Sequence, residues 1–539
     1  MGDQPLARVD RLVELAETLA AAWGARATTC TTVGQERANL RLLGVSGVDR
    51  AGRPLAGAAV DRYVAGRSER LAAGIILPFV AAMAEYDVGA QALALDVASG
   101  AVDLGLESEI LHDAGRRAEV EAQAAELAAS AFERIDANRT ARLELLAVIG
   151  DAARPWIGAS TEEPDAADGA REAGQFVRAG LDVVRVEVPP SRELADRLHD
   201  AGFDLPPWRA RGSSRPGESD PAPSGSQRGL AEVRLAIDEA AAERRGYARL
   251  GTAALPLAGP EQAVVAAFER VDIVDGDPIA EVVDGNVDPD RALADHAFAH
   301  RLIARSGSIV VLGAGPLVVA PDLARGAPSS PATLAGRAFA LQLLGAALAR
   351  RDGIPASRVF VGAIPPWLID ERHSGALAIA QVILRRAALP GQPLVFDEPE
   401  QETAALRWRA VLGAALPLAD RDGMIIRRAG GGDAGRVVAD TRTIIEVAAD
   451  VAGAYGPIDP RGAALEHARA TVAAAIATLE GLATDGWSSV LGSPLDRPAV
   501  ARLGADAVVE RTEAFDPFAV TGPAPMPGSR ADRPPADTL

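Results

Sequence analysis

The sequence predicts an α/β fold in which helices cover a parallel sheet that is either open or closed into a barrel. From Pro155 onward, short β-branched runs alternate with Ala-rich helical stretches, and this alternation is typical of parallel βα units. At least four such units follow one another over about 270 residues, which fits the length of a (β/α)8 barrel. The predicted strands cover residues 183–188, 271–274, 309–312 and 359–361, and the clearest helices cover 230–245 and 334–351.

Helical segments flank this α/β region. Leu12, Leu15, Leu19 and Trp23 recur at three-to-four spacing, and a similar pattern runs over residues 118–135, which predicts amphipathic helices. We therefore expect a helical N-terminal accessory region over residues 1–150, a barrel over 151–435 and a helical C-terminal region over 436–520. Segments rich in Pro, Gly and Ser predict a long loop over residues 206–227 and a disordered tail over 521–539.

The basic residues exclude one kind of chemistry, because all 55 of them are arginines. Without a lysine the chain cannot form a Schiff base with pyridoxal phosphate on a side chain or use a P-loop lysine. The net charge of −19 argues against nucleic acid and anionic membranes as partners. Cys30 is the single cysteine, so internal disulfides and thiolate metal clusters are excluded. The sequence shows no signal-peptide pattern and no run of 18 apolar residues, and we expect a cytoplasmic protein.

Several short motifs have ordinary structural explanations. The glycines of segment 313–316 follow a predicted strand but lack the third glycine of a phosphate loop, and segment 430–432 resembles a flexible turn. The adjacent Glu162 and Glu163 are typical of a solvated charge pair. His296 and His300 lie four residues apart on a predicted helix, a spacing that suits either a metal pair or packing. Packing is favoured, and no metal site is predicted.

A family resemblance is the most specific signal in the chain. Residues 31–38 (TTVGQERA) and 41–49 (RLLGVSGVD) resemble the opening of the α subunit of D-lysine 5,6-aminomutase. The resemblance continues in the same order over residues 138–139, 150–151, 154–157, 180–184 and 269–272, then at Asp295, Phe298 and 516–518. It extends from about residue 8 to residue 520.

The resemblance implies a TIM-like barrel with helical accessory segments, paired with a smaller β subunit. In that family the β subunit carries the cobalamin-binding domain and the lysine that holds pyridoxal phosphate. Adenosylcobalamin and pyridoxal phosphate are therefore the implied cofactors, both held mainly by a partner subunit. The absence of lysine in this chain agrees with that arrangement.

The positions that match the family's cofactor-binding motifs carry different residues here. Segments 188–193, 223–229, 252–257, 311–317 and 396–399 replace polar loops that contact the cofactor phosphate, the pyridine ring and the substrate. Asp295 is the retained polar residue near the implied cofactor site, with a place on the helix surface as its alternative. Arg192 and Arg228 are the residues that could supply a substitute for the family's phosphate-binding arginine through a bidentate guanidinium.

Two functions follow from this comparison. The first is an aminomutase subunit that moves an amino group between adjacent carbons of an amino acid by means of cofactors from a β-like partner. The second is a non-catalytic or altered-specificity paralogue that retains the barrel as a binding or assembly module. The replaced motifs favour loss or change of the original reaction.

Overall fold

The protein folds into a closed eight-stranded parallel barrel wrapped by helices, and this confirms the predicted fold class. The computed structural model describes residues 8–49, 53–105, 111–161, 166–187, 227–253, 257, 259–283, 287–313, 330–364, 374–398, 423–427, 433–455, 462–491, 508–512 and 514–519. The predicted tail lies outside these residues, as do segments 162–163, 314–316 and 430–432 and residues 206–226 of the predicted loop.

Ten strands and seventeen helices of four or more residues lie in the described part of the chain. The strands are β1 (Cys30–Thr32), β2 (Trp156–Ser160), β3 (Val183–Glu187), β4 (Arg249–Ala253), β5 (Ile273–Asp275), β6 (Ile309–Leu312), β7 (Val359–Gly362), β8 (Leu394–Asp397), β9 (Gly423–Arg427) and β10 (Val508–Glu510). The helices are α1 (Val9–Thr29), α2 (Val33–Leu42), α3 (Leu55–Val64), α4 (Ser68–Ala73), α5 (Ile76–Tyr86), α6 (Ala90–Ser99), α7 (Ala114–Ile149), α8 (Ala166–Ala179), α9 (Gln227–Arg244), α10 (Gly259–Phe268), α11 (Pro278–Val283), α12 (Pro289–Ser306), α13 (Pro331–Arg351), α14 (Ser374–Ala388), α15 (Ala434–Tyr455), α16 (Ala463–Asp485) and α17 (Ser488–Leu491).

The barrel strands β2 to β9 neighbour one another in chain order, and β9 closes on β2, with Trp156 opposite Met424. Alternate residues of these strands point inward and form an apolar cluster that fills the barrel. At its N-terminal end Trp156 stacks on Phe360 with ring centroids 5.8 Å apart, and the Arg249 guanidinium lies 3.5 Å from the Trp156 ring centroid. The interior of the barrel at its N-terminal end is therefore a packed core.

The accessory regions contain one feature that the sequence prediction missed. Strands β1 and β10 pair antiparallel, with Thr31 opposite Val509, so the N-terminal and C-terminal accessory regions join in a two-stranded sheet. The sequence analysis described both regions as helical and did not include these two short strands. Gln227, the last residue of the predicted loop, is the first residue of α9. The proposed domain boundaries remain predictions.

Helix α13 is long and apolar enough to span a membrane by length and composition, but 83% of its apolar window is buried inside the protein. It packs against α1 and α16 with its buried Leu341, Leu344 and Leu348. Its composition is accounted for by a place in the core of the barrel's helical layer.

Candidate active site at the barrel mouth

Toward the C-terminal end of the barrel, some inward-facing positions carry charged side chains instead of apolar ones. Val183, Ile273 and Val395 belong to the apolar cluster inside the barrel. Two residues further along the same strands stand Arg185, Asp275 and Asp397, and side chains two apart on a strand point to the same face. Asp275 and Asp397 are the last residues of β5 and β8, and Arg185 is the middle residue of β3, two positions before its end. These three residues, called here the barrel mouth, lie toward the C-terminal end of the barrel, where (β/α)8 enzymes build their active sites.

Arg185 joins the two aspartates of the barrel mouth. Its Nη2 atom pairs with Asp275, and its Nη1 atom lies 3.3 Å from Oδ2 of Asp397. A glycine makes this reach possible, because Arg185 must cross β4 to meet β5. A Cβ atom at Gly251 would lie 3.1 Å from Cγ of Arg185, closer than most real contacts. The arginine therefore depends on the missing side chain of the intervening strand.

The barrel mouth has an unusual charge balance, with two carboxylates around one guanidinium. Burial raises the pKa of Asp275 to about 6; Arg185 opposes that rise and the neighbouring Asp397 adds to it. Asp397 is 57% exposed, so its oxygens are accessible to a ligand. A carboxyl group with a pKa close to neutral can hold or release a proton under physiological conditions, which is typical of functional sites.

This arrangement suits a small zwitterionic ligand. Carboxylates accept the protons of an ammonium group, and a guanidinium binds a carboxylate through two parallel hydrogen bonds. A Cβ atom at Gly313, directly after β6, would meet no atom of the described residues within 4 Å. A phosphate dianion fits poorly, because both aspartates would repel it. The described residues of the barrel mouth therefore do not fit the phosphate of pyridoxal phosphate, and we derive no chemical step through that group.

Asp295, predicted near a cofactor, lies between a barrel helix and the accessory region. It is 1% exposed, so its alternative place on the helix surface was wrong. Its carboxylate accepts a hydrogen bond from the hydroxyl of Thr32 and pairs with Arg291, one turn away on α12. Burial raises the pKa of Asp295, although Arg291 and Thr32 oppose the rise. A role toward a cofactor stays a prediction.

Of the two predicted arginines, the structure describes only Arg228, and the contact it forms is not with Asp295. Arg228, near the start of α9, is 79% exposed in its side chain and forms an i,i+4 pair with Glu232 at 2.9 Å. Arg192 lies outside the described residues. Both stay predictions as phosphate contacts.

The histidine pair lies in the interior, as its packing interpretation requires. His296 and His300 on α12 are 2% and 0% exposed, with ring centroids 5.8 Å apart. Nε2 of His296 lies 3.1 Å from Oε1 of Glu281, and Nδ1 of His300 lies 3.0 Å from Oδ2 of Asp352. Within the described part of the chain, no three His, Cys, Asp or Glu residues converge in a way that could hold a metal ion.

The residues that carry the family resemblance hold the accessory helices against the barrel. Thr32 begins α2 as its N-cap, accepting a hydrogen bond from the Gln35 amide at 3.0 Å while it donates to Asp295. Nε2 of Gln35 donates to the carbonyl of Ala294 on α12 at 2.7 Å. The Glu36 carboxylate accepts from Thr31 at 2.7 Å and, through its other oxygen, from the Ile75 amide at 2.8 Å. These side chains satisfy one another in a buried polar contact.

Helix α7 makes a second contact of this kind at the N-terminal end of the barrel. Arg142 forms an ion pair with Asp272 at 2.8 Å, and Asn138 donates to the carbonyl of Phe268 at 2.8 Å. Asp272 also forms an ion pair with Arg234 at 2.8 Å and accepts a hydrogen bond from the Tyr247 hydroxyl at 2.7 Å. Burial alone would raise the pKa of Asp272, but the two guanidinium groups hold it below its ordinary value. We call both contacts together the docking interface, comprising Thr31, Thr32, Gln35, Glu36, Asn138, Arg142, Asp272 and Asp295.

The C-terminal segment 516–518 packs against helices α7 and α12. Phe518 packs edge-on against Phe298 of α12 at 5.1 Å and against Phe132 of α7 at 5.3 Å. Asp516 pairs with Arg301 at 3.3 Å, and the Arg301 guanidinium lies 3.9 Å from the Phe518 ring centroid. The sequence pattern 516–518 therefore closes the contact between the accessory regions and α12.

A family model described as the TIM-barrel domain of the D-lysine 5,6-aminomutase alpha subunit matches residues 4–405. The chain belongs to this family. The match covers the N-terminal accessory region and strands β1 to β8, and it ends before β9. The resemblance first seen in residues 31–49 is thereby confirmed, and the matched range includes both contacts of the docking interface as well as the barrel mouth.

Two relatives named lysine 5,6-aminomutase alpha subunit support this membership. The protein of Fusobacterium nucleatum is 25% identical over 370 residues, and that of Acetoanaerobium sticklandii is 24% identical over 369 residues. Each alignment covers 68% of this chain and 66% of the relative, slightly under two thirds of its length.

Similar solved structures include the dihydropteroate synthase of Anaplasma phagocytophilum, with 13% identity and a TM-score of 0.34, which covers 56% of this chain and 100% of that one. A Rubisco-like protein of Rhodopseudomonas palustris has 15% identity and a TM-score of 0.31, covering 58% of this chain and 68% of that one. Similarity at this level supports no conclusion about function.

The barrel mouth was missed by the sequence analysis of this family member. Arg185 stands within a β-branched run, Asp275 follows Val274, and Asp397 follows Phe396. The available signal was positional: a charged residue two places after a buried apolar one, at the end of a predicted strand, points into a barrel. That signal becomes readable once the inward face of each strand is known.

Proposed function

We propose that this chain is the barrel subunit of a lysine 5,6-aminomutase-like isomerase. In this proposal a cobalamin-binding β-like subunit covers the barrel mouth, and the complex moves an amino group between adjacent carbons of an amino acid in the cytoplasm. The observation that carries the proposal is the barrel mouth itself: in a member of this family, charged side chains from three separate strands converge where barrel enzymes bind their substrates.

The three residues have distinct roles in this proposal. Asp397, the exposed member, accepts protons of a substrate ammonium group. Asp275 lies deeper and holds or releases a proton near neutral pH, because its pKa is about 6. Arg185 keeps the two carboxylates together and offers a guanidinium to a substrate carboxylate. The apolar barrel interior below them excludes water from the reacting centre.

We assign both cofactors mainly to the partner subunit. Adenosylcobalamin and pyridoxal phosphate would supply radical chemistry and an amino-group carrier when bound. Because the chain contains no lysine, a lysine of the partner must hold pyridoxal phosphate covalently. Arg192 and Arg228 remain the proposed phosphate contacts from this chain, and Asp295 remains a proposed contact to the cofactor ring.

Reconstitution tests the proposal. The chain is co-expressed with a cobalamin-binding β-like subunit, and the product is analysed by size-exclusion chromatography with light scattering. We expect one complex, and two independent peaks at micromolar concentration would contradict the partnership. Borohydride reduction with pyridoxal phosphate, followed by peptide mass spectrometry, should place the reduced adduct on the partner and on no internal residue of this chain.

Catalysis is then assayed anaerobically with adenosylcobalamin, pyridoxal phosphate and a panel of D- and L-amino acids. We expect lysine turnover well below about 1 s⁻¹, because each charge-assisted hydrogen bond that the replaced motifs no longer provide would have contributed about 1.5–3 kcal/mol of stabilisation. Another amino acid of the panel should be turned over faster than lysine.

Matched variants connect that activity to the barrel mouth. Asp397→Asn removes an exposed carboxylate at the mouth, whereas Glu243→Gln removes an exposed carboxylate near the C-terminal end of α9, outside the proposed site. Asp397→Asn should lower kcat/KM for the best substrate by about tenfold or more, and Glu243→Gln should leave it unchanged. A complex that neither binds nor converts any amino acid of the panel would contradict the proposal and favour the alternative, a non-catalytic binding module.

A further inference from the structure

A buried polar cluster lies directly behind the strand end that carries Asp275. It consists of His296 and His300 on α12, Glu281 on α11 and Asp352 at the end of α13, all buried. The proposed function does not use these residues. Burying two imidazoles and two carboxyl groups away from water is costly unless they are paired, so the cluster needs an explanation.

His296 packs against the backbone of the turn that follows β5. The turn is Asp275-Gly276-Asp277, and a Cβ atom at Gly276 would lie 3.6 Å from Cε1 and 3.7 Å from Nδ1 of His296. Those distances correspond to ordinary van der Waals contact with an added methyl group, so the ring faces the glycine with room for a methyl group between them. The imidazole therefore lies beside the backbone from which Asp275 projects into the barrel mouth.

His296 also reaches the same turn through helix α11. Asp277 begins this helix, because its Oδ1 atom accepts hydrogen bonds from the amides of Ile279 at 2.9 Å and Ala280 at 3.3 Å. Glu281, the partner of His296, stands on that helix one turn later. A change in the pairing of His296 with Glu281 therefore reaches the turn through the short helix, whose first turn is capped by Asp277.

The cluster is incompletely satisfied, so its protonation state matters. Both ring nitrogens of His296 and Oε2 of Glu281 are buried and have no partner with hydrogen-bond geometry among the described residues, so the 3.1 Å contact between Nε2 of His296 and Oε1 of Glu281 is an ion-pair contact. Burial alone would lower the pKa of His296, but the carboxylates of Glu281, Asp277 and Asp295 hold it above its ordinary value. The residues that surround His296 also include His300 on the same helix, Asp352 at the end of α13, and the uncharged Gly24 and Ala27 of α1.

We propose that His296, paired with Glu281, is a positioning residue for the barrel mouth, and that it sets the contact of Asp275 with Arg185. The inference rests on the proposed function only in taking the barrel mouth as the substrate site. When His296 is uncharged, the attraction to Glu281 weakens, α11 and the turn relax, and Asp275 moves partly away from the guanidinium. His300 has no such contact with Gly276 and serves as the matched comparison.

The test requires neither substrate nor partner, so it succeeds or fails separately from the proposed function. The full-length chain is labelled with ¹³C in the aspartate carboxyl groups and ¹⁵N in the histidine rings, and NMR follows their titration in wild type, His296→Gln and His300→Gln. Glutamine can still donate toward Glu281 but cannot titrate near neutral pH. An Asp275→Asn sample assigns the Asp275 signal.

In His296→Gln we expect the pKa of Asp275 to rise by about 0.5 units or more, because the weakened contact with Arg185 no longer opposes burial. His300→Gln should leave the Asp275 titration unchanged. An unchanged Asp275 titration in a folded His296→Gln variant would overturn the proposal, as would equal shifts in both variants, since these would indicate a general packing effect.

A second variant approaches the contact from the other side and decides the question if His296→Gln does not fold. Gly276→Ala places a methyl group against the His296 ring at ordinary contact distance. We expect the His296 ring signals and their titration midpoint to move, while those of His300 stay in place. Unchanged His296 signals would show that the ring and the turn are not coupled. In an active complex, the pH dependence of kcat should shift in His296→Gln and not in His300→Gln.

Discussion

The docking interface and the barrel mouth are both built from charged and polar side chains, but they differ in how those charges are matched. In the docking interface Asp272 forms ion pairs with two guanidinium groups and accepts hydrogen bonds from a hydroxyl and a backbone amide, and its pKa is lowered. In the barrel mouth two aspartates share Arg185, and the pKa of Asp275 is raised. The charge of Asp272 is therefore stabilised, whereas the mouth keeps Asp275 under-compensated; Asp295, in the first contact of the interface, also has a raised pKa because of its burial.

This difference separates a charge that stabilises the fold from a charge that is available to a ligand. A fully matched buried carboxylate contributes to holding two regions together. An under-compensated carboxylate at the end of a barrel strand costs stability, and the fold retains it where a ligand supplies the missing charge. The sequence motif that identifies the family marks the first kind of residue, and it is largely silent about the second.

The largest effect is expected at Asp272. Asp272→Asn keeps the shape of the side chain but leaves Arg142 and Arg234 buried without their shared carboxylate. Breaking a buried ion pair in this way costs about 3–5 kcal/mol. Urea denaturation followed by circular dichroism measures the free energy of unfolding. Asp397→Asn, at an exposed carboxylate, is the control, and a decrease of similar size in both variants would contradict the distinction between the two regions.

A smaller effect is expected at Thr32. Thr32→Val preserves the size of the side chain but removes the hydroxyl that caps α2 and donates to the buried Asp295. We expect the free energy of unfolding to fall by about 1–3 kcal/mol. Thr32→Ser retains the hydroxyl and should be less destabilising, by about 1 kcal/mol at most. If serine and valine are equally destabilising, the hydroxyl does not hold the accessory region to the barrel.

The smallest effect is expected at Arg228. Its side chain is exposed and paired with Glu232 on the same helix, and such pairs contribute little because water screens them. Arg228→Gln should change the free energy of unfolding by less than about 0.5 kcal/mol. A decrease above about 1 kcal/mol in the same denaturation measurement would show that Arg228 has a structural partner beyond Glu232.

The local elements of the fold could be predicted from the sequence because their signals are local. The run 309–312 is β6, and the run 359–361 lies within β7. Each of these strands could be predicted from its own β-branched residues and from the helical stretches on either side. The pairing of β1 with β10 could not be predicted. Both strands have three residues, too few for alternation to show, and their partners are hundreds of residues apart.

The site was harder to predict because its residues depend on which way each strand faces. Within residues 183–188 Arg185 and Glu187 interrupt the apolar pattern in the same way, and neither shows from sequence that it enters a barrel. The reach of Arg185 to Asp275 also depends on Gly251 of another strand. For Asp295 the sequence left burial and exposure open, and the contact with Thr32 that decides it spans 263 residues.

The pH dependence of stability in Asp275→Asn tests the contrast between the two regions most directly. The folded chain binds a proton at Asp275 with a pKa of about 6, above its ordinary value of 3.8. Protonation of Asp275 therefore favours the folded state, and that contribution is complete below pH 3.8 and disappears as the pH rises through 6. Asparagine mimics the neutral form, so the variant keeps this contribution at every pH.

The free energy of unfolding is measured for wild type and Asp275→Asn at about pH 4 and about pH 7.5, on either side of the pKa of about 6 that Asp275 has in the folded chain. Between these values we expect the stability of the variant relative to wild type to increase by about 1–3 kcal/mol, which would show that ionised Asp275 is under-compensated in the barrel mouth. A relative stability that stays constant, or that falls as the pH rises, would mean that Arg185 fully compensates Asp275, and the contrast with the docking interface would be contradicted.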